Sequence, residues 1–151
     1  MKVGKKYRNA VIAVFVDVSN RVLVLERSDF PGSWQLPQGG VEEGESFKDA
    51  VLREMKEELG TESFQVISEG GVPTKYDFPE ELTANISKKY AGQELHWFLM
   101  KFSMGGQPDL ENAQDKEFIN YKWVSWEEAV ELVTEWKKEV YQTGFELLGF
   151  K

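Results

Sequence analysis

Three glutamates on one predicted helix are the residues of this chain with the clearest capacity for chemistry. Glu54, Glu57 and Glu58 lie in segment 46–59, whose apolar residues recur at helical spacing. At about 100° per residue the three carboxylates share one arc, where like charges repel each other. The ordinary interpretation is a solvated acidic face. The alternative is a cluster neutralised by a hard divalent cation, because Mg²⁺ and Mn²⁺ prefer carboxylate oxygens.

Neighbouring residues favour the metal-binding alternative. Ala50 lies in the middle of the acidic arc and is expected to leave open space above it. The glycines at 39–40 let the backbone come close to a bound group and offer a carbonyl ligand. Arg53 is placed to position Glu57 or the loop carboxylate Glu45. The pattern therefore predicts a metal cluster between a glycine-rich loop and a helix.

The elements that must position this cluster follow from periodicity and turn residues. Ser46 with Asp49 forms a capping box, and Gly60 is a natural end for the helix. A second capping box at Ser125 and Glu128 begins a helix to about Glu135, and a last helix covers roughly 137–148. Strands are predicted at 9–18, 21–27, 34–36, 63–69, 73–78, 93–104 and 120–124. This order predicts an α/β protein with a mixed sheet packed between helices, in one domain spanning 1–151.

Composition narrows the class of protein. The 151 residues carry 26 acidic and 18 basic side chains, for a net charge of −8, and no cysteine. The missing cysteines exclude disulfides and thiolate metal sites and fit a cytoplasmic location. Segment 39–60 alone has seven acidic and three basic residues, a net −4. The acidic balance argues against a broad nucleic-acid groove, so no DNA is expected. No segment is long and apolar enough to predict a membrane span, and no protein partner is identified.

The glycine-rich loop and the acidic helix together resemble a known motif. Segment 39–61 has Gly39, five residues, Glu45, seven residues, Arg53-Glu54, an apolar residue, one more residue, then Glu57-Glu58 and, after one residue, Gly60. That is similar to the Nudix box of the Nudix hydrolases, with one departure at Thr61, where the family prefers a bulky aliphatic residue. Segments 7–9, 33–40 and 76–79, residues 92–93 with 97–99, residues 117–118 with 123–124, and segment 136–141 resemble the bacterial RNA pyrophosphohydrolases and the related asymmetric dinucleoside tetraphosphate hydrolases.

The resemblance implies a fold, a reaction and a metal site. The fold is the Nudix α/β/α sandwich, and the reaction is cleavage of a nucleoside diphosphate linked to another group, with Mg²⁺ or Mn²⁺, two or more ions per site. The implied ligands are Glu54, Glu57, Glu58 and a main-chain carbonyl near Gly39, with Glu117 as a further ligand or base. Arg53 and Glu45 are implied to orient the ligands. Glu58 competes with Glu117 as the general base, and clustered carboxylates titrate together.

Substrate contacts are implied at six further positions. Arg8 and Lys137 correspond to cations that touch phosphates, although on the sequence alone a solvated surface charge is the better-supported explanation of each. Tyr76 and Trp136 can stack a base, or simply pack in the core. Ser33 and Gln38 are placed to contact base and phosphate. His96 is assigned no role.

Three functions are compatible with the sequence. The first is removal of pyrophosphate from the 5′-triphosphate end of RNA, coupled with hydrolysis of dinucleoside polyphosphates. The second is a pyrophosphatase for free nucleotides or nucleotide sugars. The third is a catalytically silent Nudix-fold module that binds nucleotide, against which stands the retention of every box carboxylate. The net −7 of residues 61–151 predicts that only the polyphosphate end and the first one or two nucleotides are bound.

Overall fold

The computed structural model describes residues 6–80 and 90–151, so residues 1–5 and 81–89 of the predicted domain lie outside the description. Eight strands and three α-helices are described in this part of the chain. The strands are β1 (Lys6–Phe15), β2 (Val22–Arg27), β3 (Trp34–Gln35), β4 (Gln38–Gly40), β5 (Phe64–Glu69), β6 (Thr74–Asp77), β7 (Tyr90–Phe102) and β8 (Phe118–Val124). The helices are α1 (Phe47–Leu59), α2 (Trp126–Leu132) and α3 (Lys138–Leu147), with short 3-10 helices at Leu110–Asn112 and Glu135–Lys137.

The strands form two sheets. In the larger sheet the order is β4-β1-β7-β5, and β6 also pairs with β7. Strands β1 and β7 are parallel, whereas the other pairings are antiparallel, which confirms the mixed sheet. The smaller antiparallel sheet has the order β3-β2-β8.

Strand β1 separates two apolar clusters because its side chains alternate between the faces of the sheet. Ala10, Ile12 and Val14 belong to a cluster that includes Tyr141 and Phe145 of α3. Val11, Ala13 and Phe15 belong to a second cluster that includes Val51, Met55 and Leu59 of α1. Helices therefore cover both sides of the strands, as the α/β/α sandwich requires.

Helix α1 begins and ends where its capping residues predict. The hydroxyl of Ser46 accepts a hydrogen bond from the Asp49 N–H at 3.1 Å, and Gly60 adopts a left-handed φ of 69°. The Gly60 N–H donates to the Lys56 carbonyl oxygen. These caps fix the rotation of the helix and hence the direction of its carboxylates.

The segment that leads into the glycine-rich loop is anchored in the core. The buried Leu36 N–H donates to the hydroxyl of Tyr141 at 3.0 Å, which ties α3 to this segment. Gln38–Gly40 then pairs with β1 at Ala10–Ile12. Strand β4 was not predicted, because two glycines carry no strand propensity and tertiary pairing creates it.

Several predicted boundaries were wrong by a few residues. Strand β1 runs from Lys6 to Phe15 rather than 9–18, because the Asp17 carboxylate accepts hydrogen bonds from the N–H groups of Ser19 and Arg21 and so turns the chain. Helix α2 ends at Leu132 rather than Glu135, because Val133 and Thr134 are extended. Among the described residues, no helix is long and apolar enough to cross a membrane.

Candidate active site

Arg53 is the hub of the acidic cluster. Its Nε and Nη2 atoms donate to the two carboxylate oxygens of Glu45 at 2.8 and 2.9 Å. Its Nη1 atom donates to Glu54 at 2.9 Å and to Glu57 at 3.4 Å. Its Nη2 atom also donates to the Gly40 carbonyl oxygen at 2.9 Å. One guanidinium therefore ties the helix to the glycine-rich loop, as the sequence predicted for Glu45 and Glu57.

The hydrogen bonds of Arg53 give the loop carboxylate Glu45 a role different from that of the helix carboxylates. Hydrogen bonds from Arg53 and from the Glu42 N–H lower the pKa of Glu45 to about 2. The pKa of Arg53 is raised, chiefly by Glu45. Glu45 is thus ionised at neutral pH and holds Arg53 in place, and Arg53 neutralises part of the helix charge.

Glu54 lies directly against the glycine-rich loop. A Cβ atom added to Gly39 would fall 2.0 Å from the Glu54 carboxyl carbon and 2.1 Å from its Oε2 atom. Only glycine leaves this space for the carboxylate. Burial raises the pKa of Glu54, although the hydrogen bond from Arg53 opposes that shift.

Glu58 is the buried member of the cluster. It is only 2% exposed, and its Oε2 atom has no hydrogen-bond partner among the described residues. Burial raises its pKa well above the usual value, and the charge of Glu117 adds to this, followed by those of Glu54, Asp115 and Glu57. A buried carboxylate with a free oxygen is costly unless a cation or proton joins it.

Ala50 does not lie where the sequence suggested. Its side chain is 0% exposed and packs with Val51 and Met55 in the α1-side cluster. The expectation of open space above Ala50 was wrong, because the arc of α1 that faces the sheet is wide enough to include Ala50. The space beside the carboxylates comes from Gly39 instead.

A cleft of about 840 Å³ opens beside these carboxylates. Its lining combines acidic and basic side chains. The carboxylates are Asp29, Glu54, Glu58, Asp115 and Glu117, and the cations are Arg8, Arg27, Lys116 and Lys137. Cations favour binding of a polyanion, whereas the carboxylates are tolerable near one only if positive charge intervenes.

The cleft brings together seven of the residues predicted from sequence, namely Arg8, Gln38, Gly39, Glu54, Glu58, Glu117 and Lys137. Glu45, Arg53 and Glu57 do not line it and belong to the network around Arg53. Ser33, Tyr76 and Trp136 are not lining residues either.

The surroundings shift the pKa values of Lys137 and Glu117, two of the lining groups. Burial, followed by the positive charge of Arg27, lowers the pKa of Lys137 to about 8. Partial desolvation raises the pKa of Glu117, and Asp115 and Asp29 act in the same direction while Arg27 opposes them. Both groups therefore titrate closer to neutral pH than free side chains do.

The predicted stacking residues form one aromatic group with Lys137. Tyr76 is 8% exposed, belongs to the core and lies 5.3 Å from the ring of Trp136 between centroids. The Lys137 ammonium lies 5.3 Å from the Trp136 centroid and 5.8 Å from that of Tyr76. Stacking of a base on Tyr76 requires this group to open, whereas Trp136 is only partly buried.

Arg27, Ser28 and Gln35 line the cleft but were not singled out from the sequence. Arg27 is the last residue of β2, and its guanidinium donates to both Asp29 oxygens at 2.9 and 2.7 Å. The sequence feature that could have identified Arg27 is its position at the end of a strand, because side chains there project beyond the sheet.

The donor set fits a hard divalent cation. Glu58 offers a buried oxygen without a hydrogen-bond partner, and Glu54 lies in the space that a Cβ on Gly39 would fill. The negative charge of Glu117 acts on both carboxylates. All these donors are oxygens, as Mg²⁺ and Mn²⁺ prefer. Within residues 6–80 and 90–151, no three His, Asp or Glu side chains are arranged to hold an ion as they stand. Arg53 engages Glu54 and Glu57 instead.

The chain is similar in sequence to known proteins. Residues 6–144 match the family described as NUDIX domain. The chain is 37% identical over 146 residues to an RNA pyrophosphohydrolase from a Nitratiruptor species, covering 94% of this chain and 93% of that protein.

Two solved structures share the fold. One is the dihydroneopterin triphosphate pyrophosphohydrolase of E. coli, with a TM-score of 0.71, 24% identity, and coverage of 92% of this chain and 97% of that one. The other is a binary complex of the C. elegans Ap4A hydrolase, with a TM-score of 0.61, 18% identity, and coverage of 93% and 96%. At these identities the likeness concerns the fold alone.

Proposed function

The chain belongs to the Nudix family and is a hydrolase of phosphoric anhydride bonds, and we propose that it removes pyrophosphate from the 5′-triphosphate end of RNA. Hydrolysis of dinucleoside polyphosphates such as diadenosine tetraphosphate is proposed as a coupled activity. Both substrates present a nucleoside, a polyphosphate and a second nucleotide. The similarity to an RNA pyrophosphohydrolase over almost the whole chain supports the first substrate, and the polyphosphate chain that both substrates share supports the second.

The observation that carries the proposal is the mixed lining of the cleft. Arg8, Arg27 and Lys137 line the same space as Glu54 and Glu58. A polyphosphate placed there would contact the cations directly, and divalent ions would join it to the carboxylates.

The proposed metal site combines residues of helix α1, the glycine-rich loop and the residue before β8. Glu54, Glu57, Glu58, Glu117 and the Gly39 carbonyl would hold two or more Mg²⁺ or Mn²⁺ ions. When bound, these ions would neutralise phosphate charge and activate water for attack on phosphorus. Arg53 and Glu45 would orient the carboxylates, and the long 3.4 Å contact between Arg53 and Glu57 would be the easiest to exchange for a metal.

The general base is proposed to be Glu117, with Glu58 as the alternative. Glu117 lines the cleft and is an exposed residue, so it can reach solvent water. Glu58 is almost fully buried and has a free oxygen, which suits a ligand better than a proton carrier.

Phosphate contacts are proposed from the same lining, whereas base contacts are proposed at positions that the family resemblance implies. Arg8, Arg27 and Lys137 would bind phosphates, and Gln38 would contact the nucleotide next to them. Trp136 and Ser33 are proposed to contact the base, with Tyr76 supporting Trp136 from the core. We place the enzyme in the cytoplasm, which the lack of cysteine favours.

Two other functions remain less well supported. A pyrophosphatase for free nucleotides or nucleotide sugars would use the same metal cluster, but the RNA pyrophosphohydrolase relative covers almost the whole chain. A silent nucleotide-binding module would not need the unpartnered oxygen of Glu58 or the space that Gly39 leaves for Glu54.

The test is incubation with Mg²⁺ and each substrate class in parallel. Triphosphorylated RNA should release pyrophosphate, diadenosine tetraphosphate should give ATP and AMP, and a nucleotide sugar should react far more slowly. Triphosphorylated RNAs of about 2 and about 30 nucleotides should have similar KM values, because the acidic surface does not favour contacts with a long chain. Failure with both proposed substrates would refute the proposal.

A further inference from the structure

Strand β8 contains a β-bulge beside the cleft. Glu26 of β2 pairs with Asn120, but the next residue, Arg27, pairs with Phe118, so Ile119 has no partner on β2. The Ile119 side chain is 55% exposed and contributes little to the core. Bulges bend a strand and redirect its side chains, and they are frequent next to active sites.

The bulge determines which residue faces Ser28. Without the extra residue, Arg27 would pair with Ile119, and Ser28 would lie opposite Phe118. With it, Ser28 lies opposite Glu117, and its N–H donates to the Glu117 carbonyl oxygen at 2.8 Å. Phe118 is 6% exposed and packs in the α1-side cluster, so the residue after Glu117 is fixed as well.

The Ser28 side chain adds a second attachment to the same loop. Its hydroxyl lies 2.8 Å from the Lys116 carbonyl oxygen and 2.9 Å from that of Glu117. A hydroxyl has one proton, so this donor is shared between two successive carbonyls. Through its backbone and side chain, Ser28 therefore holds both peptide units that flank the Cα atom of Glu117.

We propose that Ser28 is a positioning residue that fixes Glu117 in the cleft. The proposal rests on the proposed function, in which Glu117 acts on water or metal. Ser28 itself lines the cleft, but its hydroxyl proton is engaged by the loop. Its effect on the reaction passes through the placement of Glu117, and residues that orient metal ligands commonly change activity about 10- to 100-fold.

A purely structural role of Ser28 would have different experimental consequences. If Ser28 only closed the end of the small sheet, its loss would loosen the sheet generally and lower stability. If it positions Glu117, the effect is local to 114–118 and changes kcat, while KM is retained because the phosphate-binding cations stay in place.

Matched variants separate these roles. Ser28→Thr keeps the hydroxyl, whereas Ser28→Val has nearly the shape of the threonine variant but no hydroxyl. Ser28→Ala is a smaller substitution in case the valine prevents folding. Ser68→Ala, at an exposed position of strand β5, is a control for loss of a serine away from the cleft. The first readout is amide hydrogen exchange of segment 114–118 in metal-free protein, and the second is kcat and KM for diadenosine tetraphosphate.

We expect exchange in 114–118 to become about 5- to 10-fold faster in Ser28→Val and Ser28→Ala, with β1 and β7 unchanged. We expect kcat to fall about tenfold with KM within about twofold, and Ser28→Thr to behave as wild type. Unchanged exchange and kcat in Ser28→Ala, or equal losses in Ser28→Thr and Ser28→Val, would overturn the proposal. If the wild type hydrolyses neither substrate, the proposed function fails, and the exchange data alone decide whether Ser28 holds the loop.

Discussion

The carboxylate of Glu54 occupies the space that a side chain on Gly39 would need, with 2.0 Å between its carboxyl carbon and an added Cβ. The loop and the helix of the candidate site thus meet at a point where only glycine fits. Gly40, the next residue, has the same relation to a cation, because a Cβ there would fall 2.1 Å from the Arg8 Nη2 atom. Substitution of Gly39 should therefore disturb Glu54, and substitution of Gly40 should disturb Arg8.

Gly39→Ala should displace Glu54 and lower kcat by about a hundredfold, because a proposed metal ligand is moved. Gly40→Ala should push aside the flexible end of Arg8 and mainly raise KM. The measurement is steady-state kinetics on diadenosine tetraphosphate. Equal effects of both substitutions on kcat would contradict the separation of metal and phosphate contacts.

Arg53→Lys should destabilise the protein and lower activity even though the positive charge is kept. An ammonium cannot contact Glu45, Glu54, Glu57 and the Gly40 carbonyl together, because it lacks the planar fork of a guanidinium. We expect the free energy of unfolding in urea to fall by about 2–3 kcal/mol. Arg21→Lys is the matched control, since its ion pair with Asp17 is exposed, and it should change stability by less than about 1 kcal/mol. A similar loss in both variants would count against the hub role of Arg53.

Glu58→Gln should stabilise the metal-free protein. Burial raises the pKa of Glu58, so the folded protein binds this proton more tightly than the unfolded chain does. The free energy of unfolding contributed by Glu58 therefore falls as pH rises from about 4.3, the usual value, through the raised pKa. In EDTA at about pH 7 we expect the variant to be more stable by about 1–3 kcal/mol, measured by urea unfolding.

The advantage of Glu58→Gln should shrink at low pH and when Mg²⁺ is added. Protonation removes the buried charge of the wild type at low pH, and metal bound to the folded state stabilises the wild type more than the variant. A difference in stability that is independent of both pH and Mg²⁺ would contradict the proposed role of Glu58.

The KM for a polyphosphate substrate should rise as pH increases through about 8. Burial and Arg27 lower the pKa of Lys137 to about 8, so its ammonium is lost above that pH and a phosphate contact weakens. Lys137→Arg should abolish this rise, because a guanidinium stays charged throughout the range. KM profiles from about pH 7 to about pH 9.5 that coincide for the two proteins would rule out phosphate binding by Lys137.

The sequence predicts the acidic helix better than it predicts the cleft. Helix α1 was predictable because Ser46 and Gly60 act locally, through bonds within a few residues of each helix end. The burial of Glu58 and Ala50 was not, because helical spacing shows which arc of the helix faces the sheet but not how wide the buried part of the helix is. Ser28 was missed because its contacts with Lys116 and Glu117 depend on the bulge at Ile119, which arises from pairing between β2 and the distant strand β8.

The most direct test of the central claim is the Mg²⁺-dependent rate of diadenosine tetraphosphate hydrolysis by Glu54→Gln. Glu42→Gln is the control, because Glu42 also lies near Arg53, at 3.6 Å, but is largely exposed and does not line the cleft. A metal site built on Glu54 predicts a fall in kcat of about a hundredfold or more for Glu54→Gln, with folding retained and Glu42→Gln close to wild type. A folded Glu54→Gln protein with the wild-type rate would contradict the assignment of the carboxylate cluster as the catalytic metal site.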